Sequence, residues 1–182
     1  MSRYKKLDPD LLLDAAESVI INEGAHAISI GTVAAAAGVT KGGIQSNFGT
    51  REKLIEALFN RWGIALDDRI EQIRKTMPED ADPLDIFLEA NWQHHLENPK
   101  QDAAMMYLLT QSSEQREAAR EWISDKLEKL SLGKEDGKRR RLRFIVFQAL
   151  IVMKSMELAP FSKTEWQEIF SEINDLLGDQ KT

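Results

Sequence analysis

Apolar residues recur three or four positions apart along nearly the whole chain, and no stretch alternates apolar with polar for long enough to build a sheet. This spacing predicts an all-α protein of about nine helices. Caps and breakers set the expected bounds. Asp8 is a good N-cap, Pro9 suits the first helical position and Gly24 a C-terminal stop, which predicts a helix over 9–22. Ser29 can cap a short helix with Ile30, Val33, Ala34 and Ala37 on one face, ended by Gly38. Thr40 can cap a third, over 41–47, which Phe48-Gly49 breaks. Thr50 opens a long helix reaching Lys75, before Met77-Pro78. Asp82-Pro83 starts one to Glu97, stopped at Asn98-Pro99. Further helices are expected over 100–111, 114–131, 137–158 and 163–177, the last two separated by Pro160 and the last capped by Ser162 or Thr164.

The charge is unevenly distributed. The chain has 24 Lys and Arg against 30 Asp and Glu, a formal net charge of −6. Through residue 53 the bases Arg3, Lys5, Lys6, Lys41, Arg51 and Lys53 balance Asp8, Asp10, Asp14, Glu17, Glu23 and Glu52, so the acidic excess belongs to 54–182. With no Cys, a disulfide framework and a thiolate metal site are excluded. The first ten residues turn polar before any apolar core of a secretory signal develops, and the longest apolar stretch, Phe144–Met153, is interrupted by Gln148 and too short to span a bilayer. A cytoplasmic protein is the expectation.

Two short helices joined by Ala37-Gly38-Val39-Thr40 form a helix-turn-helix pattern. Ile30, Val33, Ala34, Ala37, Val39 and Ile44 can pack inward, and small alanines let the helices approach closely. Lys41, Gly42, Gln45, Ser46 and Asn47 remain outward. Such side chains suit a nucleic-acid surface: Gln can hold adenine bidentately, Ser and Asn reach base edges or phosphates, and Lys supplies charge. Two successive glycines, Gly42 and Gly43, each cost about 1 kcal/mol of helix propensity, which predicts a recognition helix that is loose when free and ordered on DNA.

The stretch from Leu11 to Leu58 resembles the N-terminal domain of the TetR/AcrR transcriptional regulators. The resemblance is carried by Leu13-Asp14-Ala15-Ala16, Gly24, Ser29-Ile30, the run from Val33 through Gly38-Val39-Thr40-Lys41-Gly42, and Phe48-Gly49-Thr50-Arg51-Glu52-Lys53-Leu54. It implies a three-helix DNA-binding domain over 1–53 and a helical ligand-binding and dimerisation domain over 54–182. It also implies DNA contacts from Lys41, the backbone at Gly42, and Arg51, with Gln45, Ser46 and Asn47 where the family reads bases and adjacent phosphates. Ser29, Thr40 and Gly43 complete the candidate DNA-binding set. The chain departs from the family where Gly43 replaces a Thr, Gln45 and Ser46 replace two aromatic residues, and Gly31 replaces an Arg.

In the second half, Phe144–Met153 leaves no polar face except Gln148, the mark of a helix covered on all sides, by its own core and by a partner subunit. The last helix adds Trp166, Ile169, Phe170, Ile173, Leu176 and Leu177. The resemblance implies that these two helices pair with their symmetry mates in a homodimer. Trp62, Leu66, Phe87, Asn91, Trp92, His95, Met105, Met106, Leu109, Phe147, Gln148 and Ile151 are the candidate ligand-binding residues, a mostly apolar set with a few polar groups, suited to a small, largely apolar effector. His94 and His95 are adjacent on a helix and diverge, so no metal is expected, nor any cofactor. Nucleophile motifs of the Gly-x-Ser-x-Gly kind and phosphate-cradling Gly loops are absent, against an enzyme. The expected function is a ligand-responsive regulator, a repressor released from a pseudo-palindromic operator. The alternative is a helical adaptor with weakened DNA binding. The run Lys138-Arg139-Arg140-Arg141 fits neither reading, because cations at a helix start oppose its dipole.

Overall fold

The computed structural model describes residues 7–130 and 137–178. Every regular element among them is helical. They are α1 (Pro9–Glu23), a single 3-10 turn (Ala25–Ala27), α2 (Ile30–Ala36), α3 (Lys41–Phe48), α4 (Arg51–Thr76), α5 (Pro83–Glu97), α6 (Pro99–Gln111), α7 (Ser113–Lys129), α8 (Lys138–Ser155) and α9 (Lys163–Leu177).

The caps are the ones the sequence spells. Asp8 accepts from the amide of Asp10 with Pro9 behind it, and Asp82 accepts from Leu84 at the head of α5. Ser29 with Thr32, and Ser162 with Glu165, close reciprocal capping boxes. One end differs from expectation. The helix predicted to reach 158 stops at Ser155, where Glu157 takes a left-handed φ of 52°. The amides of Leu158 and Glu157 bond back to Met153 and Lys154 in a Schellman turn. Glu rarely takes the position usually held by Gly, so the stop was invisible to pattern reading. The helix predicted to reach 131 ends at Lys129, with Leu130 as its C-cap, and residue 131 lies outside the described residues.

The chain forms two compact units. The first holds the described residues up to Ala65 together with Lys100–Gln111. Its core joins Leu12, Ala16, Val19, Val33, Ile44, Leu54, Leu58 and Trp62 to Ala104 and Leu108 of α6. The second unit holds Leu66–Pro99 and the described residues from Ser112. Its core is built on Leu84, Phe87, Leu88, Trp92, Phe144, Phe147, Leu150, Ile151, Trp166 and Phe170. The first turns of α4 and the inward face of α6 are apolar and join α1 in the first core.

The basic run at the head of α8 is explained in the second unit. Arg140 binds both carboxylate oxygens of Asp82, one at 2.8 Å, and Arg139 donates to the carbonyl of Leu176 at the end of α9. Arg143, only 8 % exposed, donates to Asp85 and to Asn174. A carboxylate at the head of α5 and a carbonyl at the tail of α9 are the negative partners that offset the unfavourable dipole at the start of α8. The bidentate Arg140 holds the carboxyl of Asp82 below its ordinary range, assisted by the Leu84 amide and opposed by burial.

Candidate nucleic-acid interface

The turn between α2 and α3 is built from backbone geometry. Gly38 takes a φ of 65°, and the amides of Val39 and Gly38 return to Ala34 and Ala35. Val33, Ala34 and Ile44 are buried at the crossing, where alanines permit close approach. α3 therefore stands with Ile44 inward and Lys41, Gly42, Gln45 and Ser46 exposed. Its start is capped by Thr40, whose hydroxyl takes the amide of Gly43 at 3.1 Å. The first-turn amides of Lys41 and Gly42 have no acceptor within the helix.

The candidate residues divide by what already engages them. Gln45 is exposed on the outer face. Ser46 and the half-buried Asn47 turn back on their own helix, the hydroxyl and the amide each donating to the carbonyl of Gly43 at 2.9 Å. Ser29 and Thr40 serve as caps. Arg51 is half-buried at the head of α4, and its Nε donates to the carbonyl of Ile28 at 2.8 Å, tying α4 to the loop before α2. Its side chain thus has a structural role that the sequence did not reveal.

Each of the two glycine departures has the end of a flexible side chain close by. A Cβ on Gly31 would lie 3.1 Å from Cε of Lys41. The lysine stem occupies the space above α2 where the family's Arg would begin. A Cβ on Gly43 would lie 2.9 Å from Cδ1 of Leu7. Leu7 thus packs against the first turn of α3, a contact that no periodicity argument could supply. Arg3, Lys5 and Lys6 lie outside the described residues.

The candidate ligand residues fall in both units. Trp62 is buried in the first core, with its indole N–H donating to Glu17 at 2.8 Å, and Met105 packs against the same core. Met106 and Leu109 are half-buried on α6. In the second unit Phe87, Trp92, Phe147 and Ile151 share one core. Trp92 stacks on Phe170 with centroids 4.7 Å apart, and the Asn91 amide donates to the Phe87 carbonyl one turn back. Leu66, His95 and Gln148 are half-buried. In this structure Trp62, Phe87, Trp92, Phe147 and Ile151 work as core.

α8 presents two faces. Phe144, Phe147, Leu150 and Ile151 are buried, while Leu142, Ile145, Val152 and Met153 are exposed. Leu176 of α9 is 71 % exposed. No described helix is long and apolar enough to cross a membrane.

Comparison with known proteins places this arrangement. The model of the tetR family of bacterial regulatory proteins matches residues 12–58, and that of the tetracyclin repressor-like C-terminal domain matches residues 81–178. No curated protein matches the sequence. Among solved structures, the chain is similar to the fatty acid degradation regulator FadR from Bacillus halodurans, at 23% identity and a TM-score of 0.67 over 100% of this chain and 99% of that one. A transcriptional regulator from Aquifex aeolicus VF5 aligns at 18% identity and a TM-score of 0.68, covering 93% and 98% of the two chains. The multidrug binding protein EbrR, complexed with imidazole, aligns at 19% identity and a TM-score of 0.64, covering 98% and 95%. With both its helix-turn-helix segment and its C-terminal half matched, the chain belongs to the tetR family of bacterial transcriptional regulators.

Proposed function

We propose that this regulator is a cytoplasmic repressor. As a homodimer it sets α3 of each subunit into successive major grooves of a pseudo-palindromic operator, and a small, largely apolar effector releases it. The observation that carries the reading is the outer face of α3, where Lys41, Gly42, Gln45 and Ser46 are exposed above a buried Ile44. Gln45 is the base reader. Lys41, Arg51 and the first-turn amides of α3 meet phosphate, and Ser46 and Asn47 exchange their bonds to Gly43 for DNA contacts. Ser29 and Thr40 hold the motif's geometry through their caps. The exposed apolar face of α8, with Leu176 of α9, is the dimer surface. A small-molecule effector is supported by similarity to a fatty acid degradation regulator and to a multidrug binding protein. An effector changes operator affinity only by preferring one conformation of the dimer, and α4, which contributes to both compact units, is the lever.

Paired substitutions test the base reader against the phosphate contact. Gln45→Ala should cost about 1–3 kcal/mol at one preferred base pair and relax preference there. Lys41→Ala should weaken binding to all sequences alike and lower the salt slope by about one. If Gln45→Ala weakens every sequence equally, it is not a base reader. If the chain holds no DNA even at low salt, the regulator reading fails and the adaptor reading takes its place.

A further inference from the structure

One cation of the second unit sits in an unusual setting. Lys126 of α7 keeps only 16 % of its side chain exposed. Its ammonium lies 5.5 Å from the ring centre of Trp122 and 5.8 Å from that of Phe87. Phe87 and Trp122 are themselves in contact, with centroids 6.0 Å apart. The carboxylate it approaches is that of Asp67 on α4, at 4.0 Å, outside hydrogen-bond reach and on a side chain that is 71 % exposed. Ring faces attract a cation, but they do not replace the hydrogen bonds an ammonium gives up on leaving water. The other well-shielded cations of this unit, Arg140 and Arg143, make short bonds to carboxylate or amide oxygen. Lys126 is thus flanked by aromatic rings, and its ammonium, still open to water, makes no hydrogen bond to another described residue.

We infer that Lys126 is the anchor for an anionic group on the effector, so that the effector is an amphiphilic organic anion: an apolar body against the half-buried Trp122, and one carboxylate on the Lys126 ammonium. This rests on the effector reading above and narrows its chemistry. A charge-assisted bond in a partly desolvated corner is stronger than the loose contact with Asp67 that it replaces. A cationic effector of the same shape is repelled by Lys126. A neutral one gains the apolar contacts alone.

Three probes sharing one skeleton and differing in charge test this: 4-phenylbutyrate, 4-phenylbutyramide and protonated 4-phenylbutylamine, titrated into the full chain and followed by tryptophan fluorescence or calorimetry. The carboxylate should bind at least tenfold tighter than the amide, with the ammonium weakest. Lys126→Met should reduce the carboxylate to the affinity of the amide while amide affinity persists, and Lys126→Arg should restore most of the preference. Asp67→Asn, on an exposed side chain, supplies an arm that does not depend on how Lys126→Met folds: removing the competing carboxylate should tighten 4-phenylbutyrate several-fold and leave the amide unchanged. Equal affinity for carboxylate and amide overturns the inference. So does a carboxylate preference that survives Lys126→Met, or failure of all three probes to bind. DNA retention measured on the same preparation without probe separates the two readings. A chain that holds DNA but ignores probe charge refutes the anion anchor alone. A chain that prefers the carboxylate but holds no DNA refutes the regulator reading alone.

Discussion

Single residues in this chain have bond partners that their type alone does not give. Arg51 resembles a phosphate contact, yet its Nε is bonded to Ile28. Gly43 stands where the family has a Thr, and the Leu7 side chain lies against it. Trp92 stacks on Phe170 within the second core. Residue type and helical spacing locate such side chains on a face, but bond partners from distant segments decide their role, and those are not written in local sequence. Caps are the exception: Asp8, Ser29, Thr40 and Ser162 act within three residues of themselves and were legible for that reason. At this scale the Asp82–Arg140 pair makes a pH prediction. The bond from Arg140 lowers the folded-state value of Asp82 below its ordinary 3.8. A depressed carboxylate contributes stability that is fully present above the unfolded value and is lost as pH falls through the folded one. Asp82→Asn keeps an N-cap for α5 but removes the charge. The variant should therefore be less stable than the parent at neutral pH, with the difference shrinking below about pH 4. Urea unfolding at stepped pH checks this, and a stability difference that does not change with pH would refute it.

Elements were legible in proportion to how local their signals are. The bounds of α1, α3, α5 and α6 followed from Pro, Gly and capping residues lying next to them. The end of α8 did not, because its stop is a non-glycine residue in a left-handed conformation. The packing of α6 with the first unit was also hidden, since it depends on contacts with segments far away in sequence. α3 is the element on which function turns. It carries two glycines in its first turn, against which stand the Thr40 cap, the Ser46 and Asn47 bonds to Gly43, and the contact with Leu7. All are on or near the surface, so they slow local opening less than core burial does. Amides of α3 should therefore exchange faster than those of α1 and the first turns of α4 in the free protein, and become protected on DNA. Equal protection of α3 with and without DNA would remove the idea of ordering on binding.

For the whole molecule, the acidic balance is compatible with DNA binding because the excess acid lies beyond residue 53. In the proposed complex few bases per subunit face phosphate, which makes dimerisation decisive, since two half-sites must be held at once. In the dimer proposed above, the exposed Ile145 on the apolar face of α8 is the place to break the pairing. Ile145→Glu should yield a monomer in sedimentation equilibrium and lose most operator affinity; a stable dimer in that variant would move the interface elsewhere. The fold class and the helix-turn-helix were readable because helical periodicity and the Gly38 turn are local. A ligand site is harder to read from sequence, because a buried aromatic residue has the same pattern whether it lines a cavity or fills a core. The central claim, a dimer reading DNA through α3, is tested most directly by selecting bound duplexes from a random pool with the full chain. The account predicts enrichment of a pseudo-palindrome whose half-sites are centred about one helical turn, roughly 10 base pairs, apart, with the preferred base lost under Gln45→Ala. A pool that emerges with no enriched sequence, or one whose preferences Gln45→Ala leaves untouched, would contradict it.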